Sequence, residues 1–148
     1  MGAVYDINYT LVSLINNTNY GNVSHYSPSS GVTSYSGGFI GLVNNTLGVS
    51  IIIERSRNIG NGSIESKYVY SSAGVGALDS NSGLTLSMKH FSNEGTLDYF
   101  GNIGTYCGSV IGSILHNSNQ TVFLSDITNK GKMFFSGMGL RWWTCWAF

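Results

Sequence analysis

Three histidines, His25, His90 and His116, lie on three separate segments, and serine is abundant enough to stand near any of them. A serine–histidine–aspartate relay is assembled in space, with the histidine taking the serine proton and the aspartate orienting the ring. Asp79 and Asp98 flank His90 in sequence, but no spacing ties the three groups together. Among the acids, Glu54 and Glu65 flank an expected hairpin and are the one pair on which carboxylate chemistry of the glycosidase type can be drawn. Their basic neighbours Arg55, Arg57 and Lys67 supply a plainer role, surface ion pairing. No phosphate loop, zinc helix or calcium loop occurs, and Gly74-Val75-Gly76 lacks the strand–turn–helix context of a dinucleotide site. Cys107 and Cys145 have no adjacent histidine pair of the kind a zinc site uses. A disulfide between them and two reduced buried thiols are the alternatives. These readings predict a non-enzymatic protein without cofactor or metal.

Binding chemistry is better represented. The chain finishes Arg141-Trp142-Trp143-Thr144-Cys145-Trp146-Ala147-Phe148. On a strand, alternate residues face opposite sides, so Trp142, Trp146 and Phe148 share a face with Leu140, and Trp143 shares the other with Arg141 and Cys145. Aromatic groups dominate cores and interfaces, and Arg141 can stack on Trp143. Trp142, Trp143, Trp146, Phe148 and Arg141 are therefore the first candidates for an interface, with Tyr26 and Tyr35 as further rings for stacking on a partner or a sugar.

The elements that must position these groups read as strands. Tyr5, Ile7, Tyr9 and Leu11 alternate with Asp6, Asn8 and Thr10; similar alternation covers Tyr35–Val43, Leu47–Glu54, Leu84–Lys89 and Leu97–Ile103. Period-two alternation marks half-buried strands. Only Leu11–Ile15 and Val110–Leu115 can even form a helical turn. Asn, Asp and Gly cluster between the runs, at 44–46, 59–62, 79–83, 93–95, 117–120 and 129–131, and such residues suit hairpin loops. Asn16 to Gly31, which holds the single proline, Pro28, reads as a long exposed loop suited to recognition. No internal repeat of solenoid period is apparent. The expectation is one all-β domain over residues 1–148, an antiparallel meander of about eight to ten strands closed into a barrel or folded into a sandwich. The aromatic last strand ending in Phe148, with the short meander, resembles the ending of small bacterial outer-membrane barrels. That resemblance implies a membrane-inserting barrel, although Ser36, Ser125 and Thr144 interrupt an apolar outer face.

Composition narrows the partners. Charged residues make up 9% of the 148, seven basic against seven acidic, while 42% are hydrophobic and 13% aromatic. An ordinary domain carries about 25% charge, so much of this surface is expected to meet something other than bulk water. Zero net charge argues against nucleic acid, which calls for a basic face, and it favours self-association. Six Asn-X-Ser/Thr sequons, beginning at Asn8, Asn16, Asn22, Asn44, Asn61 and Asn119, allow glycosylation. Met1 to Tyr5 shows no secretory leader. The leading expectation is a self-assembling, non-enzymatic structural subunit of a virion, filament or cell surface, a homo-oligomer or polymer. The alternatives are a small outer-membrane or toxin-like membrane barrel, and a lectin-like module that binds glycan.

Overall fold

The computed structural model describes residues 2–26 and 33–136. Every pair of strands among them is parallel, and no helix occurs there. The chain winds through three sheets and returns one layer higher three times, giving four coils. The first coil contains β1 (Ala3–Tyr5), β2 (Leu11–Ile15), β3 (Thr18–Asn19), β4 (Val23–Tyr26) and β5 (Thr33–Gly37). The second contains β6 (Ile40–Asn44), β7 (Ser50–Glu54), β8 (Arg57–Asn58) and β9 (Gly62–Ser72). The third contains β10 (Val75–Asp79), β11 (Thr85–Asn93) and β12 (Leu97–Gly108), and the fourth β13 (Ile111–Leu115), β14 (Thr121–Asn129) and β15 (Met133–Ser136). One sheet is built from β1, β6, β10 and β13. A second joins β2, β3, β7, β8, β11 and β14, and a third joins β4, β5, β9, β12 and β15.

The fold is a β-solenoid, which corrects the expected antiparallel meander, barrel or sandwich. Alternation holds because each solenoid strand has one face in the core and one outside, as a half-buried antiparallel strand does. Parallel neighbours require a long crossover between them; here the crossover is the rest of the coil. The two segments with helical potential, Leu11–Ile15 and Val110–Leu115, coincide with β2 and β13. Asn16 to Gly31 is not one long loop, because β3 and β4 lie within it; its Pro28 is outside the described residues. Two expected single strands are broken by corners: Tyr5–Leu11 between β1 and β2, and Tyr35–Val43 between β5 and β6.

A repeat is present after all. Equivalent residues are 39, 35 and 36 positions apart. The interior consists of apolar columns, among them Val4–Val43–Leu78 and Ile51–Leu86, with Ile53 on Met88 beside Phe91 and Phe39. In the middle coils these side chains are fully buried. At parallel-strand spacing each removes its coil neighbour's upper or lower face from water.

The turns read as hairpin loops are the corners of this solenoid. Three columns of left-handed backbone mark them: Asp6, Asn45, Ser80 and His116; Tyr9, Gly48, Gly83 and Asn119; and Asn16, Arg55, His90 and Asp126, all with φ between 47° and 65°. An L-residue held there costs about 1 kcal/mol or more, so the corner recurs only because each coil is templated by the one below. Another corner carries Asn-X-Gly in every coil, at Asn19, Asn58, Asn93 and Asn129. Asn19 donates to Asn58, Asn58 to Asn93 and Asn93 to Asn129, each side-chain bond 2.8 Å long. The partnering glycine is obligatory. A Cβ on Gly60, Gly95 or Gly131 would lie 2.0–2.1 Å from the carbonyl oxygen of the glycine one coil beneath.

Candidate functional site

The groups considered for catalysis do not converge. His25 is exposed on β4. His90 and His116 sit at left-handed corners of different columns and pair with acids of neighbouring coils: His90 Nδ1 lies 3.4 Å from Asp126 Oδ2, and His116 Nδ1 lies 3.0 Å from Asp79 Oδ1. Asp98 is exposed on β12, in another sheet from His90. Glu54 and Glu65 flank no hairpin; they lie on β7 and β9 in different sheets, and Glu54 is paired with Arg55. Arg57 makes two 3.0 Å bonds to Glu94 in the coil above. Among the described residues, no cluster of three histidine, cysteine, aspartate or glutamate side chains gathers as a metal site.

Trp142, Trp143, Trp146, Phe148, Arg141 and Cys145 lie outside the described residues, and with them the Cys107–Cys145 pairing. Cys107 is half-buried on β12. Tyr26 is largely exposed at the end of β4. Tyr35 does not stand alone. Its ring stacks on Tyr70 at 5.2 Å between centroids, and Tyr70 stacks on Tyr106 at 4.6 Å with planes 3° apart. The column climbs the third sheet, one ring per coil. Burial raises the Tyr70 phenol to about 12, helped by the neighbouring Tyr106 and Tyr35 hydroxyls. Burial and Asp79 push Tyr35 upward too. Inside the core, burial and nearby Cys107 hold Tyr99 well above the ordinary phenol range. The signal for this column is present in sequence as three tyrosines at coil spacing; it goes unseen when the coil is not recognised.

The second feature that sequence reasoning missed is the underside of the first coil. Strands β1, β2, β3, β4 and β5 each pair only with the coil above, and no described strand lies beneath them. Among the described residues, their lower edges therefore have no strand to pair with, the arrangement that recruits another strand. Apolar groups line it: Val12 and Leu14 are only half-buried, and Val23 is exposed on β4. The fourth coil mirrors this from above, with Ile114 at 45% and Leu124 at 40% exposure, and Val122, Ile127 and Met133 half-buried. Polar ladders also reach both ends. At the bottom Asn19 Oδ1 accepts the Gly21 N–H, and at the top, among the described residues, Asn129 Nδ2 meets the Met133 sulfur, at 3.8 Å.

No family model, no curated protein and no solved structure matches this chain. Its class therefore rests on geometry: a parallel β-solenoid, with four coils among the described residues, stacked by asparagine, glycine and apolar columns.

Proposed function

We propose that the protein is a non-enzymatic structural subunit that assembles with copies of itself, in a virion, a filament or a cell surface. One observation carries this reading: the strand edges and half-buried apolar row on the underside of the first coil. A soluble monomer usually protects such edges with charge, proline or a covering segment. Here the first-coil strands β1 to β5 contain no Asp, Glu, Lys, Arg or Pro, and the whole chain has no net charge to keep copies apart. Size-exclusion chromatography with light scattering in plain buffer is the test. A discrete species of many copies supports assembly; a clean monomer at high concentration contradicts it.

A glycan-binding reading is favoured by the Tyr35–Tyr70–Tyr106 column, half-exposed on the third sheet. Both faces of Tyr70 are covered by its neighbours, so a sugar would meet ring edges and hydroxyls there. A glycan array with no hits counts against it. The membrane-barrel alternative is not carried further, because it depended on a barrel and the fold is a solenoid.

A further inference from the structure

This inference rests on the self-assembly reading and specifies its geometry. We propose that copies stack head to tail along the solenoid axis, with the underside of the first coil of one copy seated on the top of the fourth coil of the next.

Register is the first argument. The columns Ala3–Leu42–Ala77–Ser113, Leu11–Ser50–Thr85–Thr121, Asn19–Asn58–Asn93–Asn129 and Val23–Gly62–Leu97–Met133 run through three sheet strands and a corner. From first coil to fourth, the offset is the same in each of these four columns. Residues 3–26 can thus lie on residues 113–136 with all columns continued, as if the solenoid took one more turn.

Polarity is the second. In the ladder every Nδ2 points up to the Oδ1 of the next coil. The top therefore offers a donor, Asn129 Nδ2, and the bottom an acceptor, Asn19 Oδ1. Head-to-tail stacking joins them. Underside-to-underside stacking would set acceptor against acceptor, an unsatisfied and repulsive contact.

Complementarity is the third. Leu124 would meet Leu14 of the next copy, Val122 would meet Val12, and Ile114 would meet Val4. The same columns are fully buried in the middle coils. At the corners, Asp126 would face Asn16 and His116 would face Asp6, so no like charges oppose. Such an interface is heterologous and does not close, so it grows into a filament.

The test uses the whole chain and two variants in one apolar column, Leu14→Lys on the underside and Leu124→Lys on the top, in light scattering at equal concentration. Inward-pointing lysine blocks strand edges. Wild type should form many-copy species. Each variant alone should fall to the single-chain mass of 15.9 kDa. An equal mixture should give twice that mass and stop, because one good top meets one good underside. Circular dichroism checks the fold, and Leu14→Gln or Leu124→Gln replaces any lysine variant that loses its β spectrum. The proposal is overturned if either variant assembles like wild type, if Leu124→Lys alone forms dimers, or if mixing restores nothing. Insensitivity to Leu124→Lys would place this chain's own residues 137–148, rather than a second copy, on the fourth coil. A wild-type monomer would instead sink the assembly reading itself.

Discussion

Among the described residues, the second and third coils are finished; the first and fourth are not. Ile51, Ile53, Leu86 and Met88 are wholly buried, whereas Leu14 in the same column is half-buried and Leu124 is 40% exposed. Asn58 and Asn93 have ladder partners above and below, while Asn19 and Asn129 have one each. The left-handed corners and the Asn-X-Gly motif recur in all four layers. What differs is the number of neighbours, since a coil of a solenoid cannot bury its own faces and is stabilised by the coils beside it. Stability should therefore be concentrated in the middle and association at the ends.

The sharpest break in that comparison comes from the stacked glycines. Gly60→Ala pushes a methyl into the Gly21 carbonyl at 2.0 Å, whereas the same change at Gly21 meets only the Asn19 side chain at 3.4 Å. Denaturant unfolding should show a loss above about 3 kcal/mol for the first and under about 1 for the second. Next come the apolar columns. Leu86→Ala should cost about 3 kcal/mol, and Leu14→Ala, already half in water, about 1. These losses refer to concentrations at which the chains are single; equal losses there would show that a segment of the same chain covers the ends. In the polar ladder, Asn93→Ala strands the buried Asn58 donor and Gly95 N–H, for a loss of about 2 kcal/mol against under about 1 for Asn129→Ala. The smallest effect concerns the tyrosine column. The folded Tyr70 phenol ionises near 12 rather than 10. Its contribution is thus fully present below pH 10 and is lost as pH rises towards 12. Tyr70→Phe should flatten that alkaline decline in a pH series of unfolding curves.

Much of the architecture was legible in the residues. The strands at 47–54, 84–89 and 97–103 follow from alternation, and the corners at 44–46, 79–83 and 117–120 from their Asn, Asp and Gly. Strand direction was not, because alternation is the same for a parallel solenoid strand and an antiparallel one. The decisive signal was a repeat rather than a period. Asn-X-Gly at Asn19, Asn58, Asn93 and Asn129, together with Gly2, Gly41, Gly76 and Gly112, falls on one coil spacing. Unequal coil lengths blur it, since the first coil is longer and β12 carries a bulge between Gly101 and Gly104. Of the interface candidates, Tyr35 joined a column whose other members, Tyr70 and Tyr106, are near it only through the coil. The strand edges of the first coil have no sequence signature, because an edge is defined by the absence of a neighbour.

Amide hydrogen exchange at two protein concentrations compares finished and unfinished coils most directly. The account predicts that β7 and β11 are protected equally at both, while β2 and β14 gain protection at the higher concentration as copies stack. Exchange in β2 and β14 that ignores concentration would contradict it.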